Sequence, residues 1–269
     1  MAVNALNNAL YNTNYLFGNQ SKKQDSIAKL WSNFNSMQAN ATGALAGINE
    51  VNANLKSLLD SYDAAKSTFN TEFAENMTAL GKSAAQIKVY DFGGVAKEGA
   101  ITVTDNTDDK GNVTTTTTYS KDLQAAIKTV EDFVGDYNDS ISFFKDNASV
   151  SKRVENLARV FGDTTYRSNA YESIGLVTNS DGSFSINEEK LANAIVNNPD
   201  KVSRILGKEG LAGKADAHIN FANSQADKLF PTADSMLGDQ LKTASVYTGK
   251  AYNAMTNYAN MGNLLNMMF

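Results

Sequence analysis

The chain has no cysteine, so disulfides, zinc–thiolate centres and cysteine nucleophiles are excluded. Histidine occurs once, at His218, which cannot build a metal cluster alone and has no surroundings that point to Ser-His-Asp chemistry. A packing role is expected for it, and no cofactor or metal is expected. Proline is confined to Pro199 and Pro231, so most of the chain is free to form long helices. No apolar run reaches the roughly 18 residues of a membrane span, so membrane insertion is not expected. The opening MAVNALNNALYNTNYLFGNQ lacks the basic start and apolar core of a cleaved secretory signal. Basic residues number 24 against 29 acidic ones, and no basic stripe with interleaved aromatics occurs, so nucleic acid is not an expected partner.

What is present in quantity is helical periodicity at both ends. Ile27, Phe34, Ala41, Ile48, Leu55, Tyr62 and Phe69 recur every seven residues, and Trp31, Leu45, Leu59, Phe73, Leu80 and Ile87 keep step beside them. A strict heptad asks for a supercoiled partner, because a straight helix drifts off such a stripe by about 20° per heptad. Ser21 and Gln24 have capping-box spacing, so the helix is expected to start there. Gly43 and Gly47 predict a break, each costing about 1 kcal/mol relative to alanine inside a helix. Near the other end, Leu211, Ala215, His218, Ala222, Ala226 and Leu229 lead to Pro231, which should interrupt the helix. Beyond it Leu237, Ala244, Ala251, Tyr258 and Leu265 repeat by sevens, with Leu241, Thr248 and Met255 between them. Polar seam positions such as Gln38, Asn52, Lys66 and Asn76 weaken two-stranded pairing and favour reversible contacts. An antiparallel helix pair closing one ordinary core is the alternative.

Between the seams the pattern changes period. Ile101 and Val103 alternate with threonines, turn residues DNTDDKGN follow, and Val113 to Tyr119 is β-branched, which predicts a hairpin. Ser120 caps a helix whose inner face is Leu123, Ile127, Val130, Phe133, Tyr137, Ile141 and Phe144. A shorter helix carries Val150, Val154, Leu157 and Phe161, with Gly162 placed to end it. Asp181 and Gly182 predict a second hairpin turn between Val177 and the Phe184–Ile186 return. Asn187 caps a helix with Leu191 and Ile195 inward, and Asn198–Pro199 opens another with Val202, Ile205 and Leu206. Asp105, Asp108 and Asp109, like Asn179, Asp181 and Glu188, resemble pieces of calcium loops, but the offsets fail in the first and Val177 stands at position one of the second.

Several of these segments together resemble a known family. FVGDYNDSISFF, with Phe133, Tyr137 and Asn138, is similar to a segment of flagellar filament-cap proteins, the hook-associated protein type two family. IGLVTNSDGSFSINEEKLANAIVNNPDKVSRILGKEGLA resembles that family's C-terminal pattern through Ile174, Gly175, Asp181, Gly182, Asn198, Pro199, Gly210, Leu211 and Ala212. The resemblance covers roughly a third of the chain. It implies export without a cleaved signal through the flagellar channel, a homo-oligomeric ring at the extracellular tip of the filament, and insertion of incoming flagellin. Flagellin, hook-filament junction proteins and an export chaperone are the implied partners. About thirty strand-like residues separate the N-terminal seam from the Phe133 helix, too few for the usual pair of head domains, which implies a minimal cap of legs plus one small head.

The expected fold is mainly α with a small β component (α+β), long coiled-coil-like terminal helices bracketing a small mixed head. The expected boundaries are a mobile segment 1–24, a helical region 25–88, a head 89–210 and a C-terminal helical region 211–269. Assembly contacts are expected from Ile27, Trp31, Phe34, Ile48, Leu55, Leu59, Tyr62, Phe69, Leu237, Leu241, Met255, Tyr258 and Leu265, with mobile ends near Tyr15–Phe17 and Leu264–Phe269 touching the filament. No enzymatic role is expected, since the scattered carboxylates sit at helix starts. Alternatives are a flagellin-like or hook-filament junction subunit, and a secreted adhesin using the Thr-rich hairpin.

Overall fold

The computed structural model describes residues 44–107, 113–233 and 235. The chain divides into two units, one of Thr71–Leu229 and one of Met1–Asn70 with Phe230–Phe269. Helix α1, Ala44–Val89, contributes residues to both.

The unit Thr71–Leu229 begins with the second half of α1. Its buried face is Phe73, Met77, Leu80, Ala84 and Ile87, a 4-3-4-3 spacing that lays one stripe of a helix on a core. Ser83 is also buried, its hydroxyl turned back on the carbonyls of Ala79 and Leu80. A 3-10 turn at Gly93–Val95 buries Phe92 and Val95 before strand β1, Ile101–Thr107, pairs antiparallel with β2, Val113–Tyr119. The register runs from Ile101 opposite Tyr119 to Thr107 opposite Val113.

Helix α2, Lys121–Asp146, is the centre of this unit. Ser120 caps it by accepting the Leu123 N–H, and all seven residues of its predicted inner face are buried. Helix α3, Lys152–Phe161, is capped by Ser151 and ends at Gly162, as the glycine predicts. Val150 lies just before it and is half-buried. A short α4, Ser168–Glu172, precedes the three-residue pair β3, Leu176–Thr178, and β4, Phe184–Ile186. Helix α5, Glu188–Asn197, is capped by the Asn187 side chain; α6, Pro199–Leu206, has proline in its first turn; α7 spans Leu211–Asn223. Helix α2 packs on α3 and α5, and α3 on α7.

The core is aromatic. Phe73 meets Phe143 and Phe144; Phe144 meets Phe161; Phe161 meets Tyr137; Tyr137 meets Phe184; and Phe184 meets Tyr171. Ring centroids along this chain are 4.8–6.4 Å apart, the range in which tilted and edge-on rings attract beyond their burial.

Four expectations are corrected. Gly47 lies inside α1, so the helix does not break there; one glycine costs too little against a 46-residue ladder of backbone bonds. Gly43 lies outside the described residues. The lower seam, Phe73, Leu80 and Ile87, finds its neighbours in its own unit: Phe73 on α2, and Gly81 with Ile219 of α7 close by. Lys66 is exposed and Asn76 half-exposed, while Met77 and Ala84, outside the heptad reading, are buried, because the face follows a helix on a core. The helix from Leu211 stops at Asn223, and a separate 3-10 turn carries Ala226 on to the buried Leu229. Asn and Ser at 223 and 224 favour turns over helix continuation. The compact unit therefore extends past both expected edges of an 89–210 head, since the end of α1 and all of α7 supply its core. The α+β class with two small sheets stands.

Candidate assembly surface

In the unit containing both ends of the chain, the described residues bring Phe230 and Pro231 onto α1. Phe230 lies 5.7 Å from the Tyr62 ring and 5.5 Å from the Phe69 ring, all three being buried. The Tyr62 hydroxyl donates to the Pro231 carbonyl at 2.8 Å. Both α1 residues belong to the predicted heptad, and Pro231 stands outside any helix. Leu59 is half-exposed, and Ile48 and Leu55 lie on α1. Ile27, Trp31, Phe34, Leu237, Leu241, Met255, Tyr258 and Leu265 lie outside the described residues, as do the segments Tyr15–Phe17 and Leu264–Phe269 and the capping pair Ser21 and Gln24. Around the buried pair, α1 presents Ala64, Ser67, Thr68 and Asn70, small or polar side chains that give any further contact little apolar area.

The motif residues have a different place and a different task. Asn138 donates from Nδ2 to the Phe184 carbonyl and accepts the Phe184 N–H at Oδ1, both at 2.8 Å. Its amide thus reproduces the two bonds a third strand would make to β4. The Tyr137 hydroxyl, on a fully buried ring, donates to the Phe161 carbonyl at 3.1 Å, and burial pushes its pKa far up. Phe133, Ile174, Leu211 and Ala212 are buried. Gly175 and Gly182 hold φ of +91° and +88°, and a Cβ on Gly182 would stand 2.2 Å from the Gly162 carbonyl oxygen. A Cβ on Gly210 would meet the Ile205 carbonyl oxygen at 2.0 Å. Asn198 holds the N-cap position of α6 with Pro199 after it, but makes no side-chain cap bond. The motif therefore builds the interior and the close backbone crossings of this unit.

No family model matches the chain, and neither a curated protein nor a solved structure matches it. Among the described residues, no group of three or more His, Asp or Glu is placed to hold a metal, and no helix is long and apolar enough to cross a membrane. Of the carboxylates in the calcium-like stretches, Asp105 and Asp181 have other partners, while Asp108 and Asp109 lie outside the described residues. Asp105 accepts from the Thr115 hydroxyl at 2.7 Å. Asp181 accepts from the Ser183 N–H and hydroxyl and pairs with Lys145 at 3.2 Å, which holds its pKa down to about 2.

His218 packs its ring 5.2 Å from Phe161. Its Nδ1 is buried without a hydrogen-bond partner, and burial, seconded by Lys214, lowers its pKa against the opposing pull of Asp163. The β1–β2 ribbon stands with both faces in solvent, Val103 at 60% and Val113 at 62% exposure. Residues absent from the sequence reading include Thr164, Ser151 and Tyr171. Thr164 donates to the Gly182 carbonyl at 2.7 Å from a buried position, and Ser151 both caps α3 and donates to the Leu229 carbonyl at 2.6 Å. A serine directly before an apolar 3–4 repeat is a legible cap signal; nothing local marks Thr164.

Proposed function

We propose that this chain is a structural subunit of the bacterial flagellum that caps the distal filament tip and promotes insertion of flagellin. The observation that carries the reading is a contact in the unit that holds both chain ends: Phe230 and Pro231 rest on Tyr62 and Phe69 of α1, both positions of the predicted heptad. A cap must hold the filament end yet shift as each subunit arrives, so its contacts need to be many and individually weak. Seams interrupted by alanine and polar residues supply contacts of that kind. The motif shared with filament caps supports the reading through its interior residues, Tyr137, Asn138, Gly175 and Gly182. The proposed partners are further copies in a closed ring, flagellin, hook-filament junction proteins and an export chaperone, at an extracellular site.

Mass measurement and electron microscopy of the purified chain over a concentration series test this. A small closed ring is the expected species; open filaments would place the chain with flagellins, and a monomer at every concentration would remove the proposal. Removing the last ten residues should abolish capping while the Thr71–Leu229 unit keeps its fold; undiminished filament growth counts against the assignment. A second reading, a secreted adhesin, is favoured by the exposed threonines of the β1–β2 ribbon, and glycan binding that is lost when that ribbon is shortened would support it.

A further inference from the structure

We propose that the cleft between α4 and α6 binds a small phosphomonoester. The cleft encloses about 460 Å³, within the roughly 300–1,000 Å³ of small-molecule sites. Arg167, Lys201 and Arg204 line it, with Glu209 the carboxylate among its lining residues. Lys201 and Arg204 are three residues apart on α6 and so share one face of that helix. Among the described residues none of the three cations is in an ion pair, although six other lysines of the described chain are. In a chain of net charge −5, three cations against one carboxylate around one concavity leave a local positive excess that draws anions.

The chemistry of the lining narrows the anion. Two guanidiniums present planar forks that match the oxygens of a phosphoryl group, and the lysine adds a point charge. The apolar part of the wall is Ala170 and Ile205, both half-buried, with the buried Tyr171 behind them. Ser173 spends its hydroxyl proton on the Ala170 carbonyl at 2.6 Å. A phosphoryl group at the cations with a small organic substituent against Ala170 and Ile205 uses both the charged and the apolar parts of this lining, whereas inorganic phosphate leaves the apolar part uncovered. The site does not rest on the tip-assembly reading.

Isothermal titration calorimetry of the full chain with phenyl phosphate, inorganic phosphate and citrate tests the proposal. Phenyl phosphate should bind at one site, more tightly than either of the others, and more weakly as salt is raised. Arg167→Gln and Arg204→Gln, both at exposed positions, should each weaken it about tenfold or more while circular dichroism stays unchanged. Absence of binding heat with phenyl phosphate, affinity unaltered in both variants, or citrate binding as tightly as phenyl phosphate would overturn the site. Equal affinity for inorganic phosphate and phenyl phosphate would overturn the role given to Ala170 and Ile205.

Discussion

Asn138 shows how one side chain can act as a strand. Its amide makes two bonds to the Phe184 backbone, and Asn138→Ala leaves both backbone groups of a partly enclosed edge without partners. The expected loss is about 1–3 kcal/mol, read as a lower denaturant midpoint at an unchanged slope; an unchanged midpoint would show that water replaces the amide. His218 carries a pH signature. Its folded pKa lies below the ordinary 6.5, chiefly through burial and then Lys214, against Asp163. The unfolded chain therefore binds more protons in that window, so this contribution is complete above about 6.5 and declines as pH falls through the folded value. Wild type should lose stability between about pH 7.5 and pH 5.5 more steeply than His218→Phe; parallel curves in urea would refute it. The sequence alone indicated that His218 packs, because a lone histidine among apolar helix positions has nothing to ligate with. Its missing Nδ1 partner is set by tertiary surroundings and was not legible.

At the scale of elements, most of the local structure was readable where one signal dominated. Ser120, Asn187 and Gly162 mark helix ends by their side chains or lack of one, and the α2 face follows a plain 3–4 repeat. The readings that failed were those in which one pattern fits two packings. A heptad and a core-facing amphipathic stripe differ by a fraction of a residue per turn, so Phe73, Leu80 and Ile87 fit both, and only the positions of Phe143, Phe144 and α7 separated them. The contact of Phe230 with Tyr62 and Phe69 gives this scale its test. Phe230→Ala removes a buried ring, a loss of about 3–5 kcal/mol. Amides of α1 near 62–70 should then exchange faster with solvent while those of α2 keep their protection. Unchanged exchange near Tyr62 would mean that the ring contributes nothing there.

For the whole molecule, the unit Thr71–Leu229 has its own aromatic core and caps for its principal helices. A fragment of those residues should unfold in one cooperative thermal step, with helix content matching the same region of the full chain. A fragment without a sigmoidal transition would show that the core needs the residues outside it. The burial of Tyr62 and Phe69 was legible from their place in a periodic stripe, because apolar spacing is a property of the sequence. The cleft of Arg167, Lys201 and Arg204 was not. Its cations lie 34 and 37 residues apart in the chain, and no local pattern foretells their approach.

The sequence by itself determined the alternation of helices and short hairpins, the caps, and the glycine at the β3–β4 turn, since each depends on neighbours within a few positions. Tertiary structure decided which stripe residues close a core within the chain, which motif side chains bind backbone far away, and where charges gather. Those outcomes depend on long-range approach, and the same apolar spacing is compatible with several partners until the chain has packed.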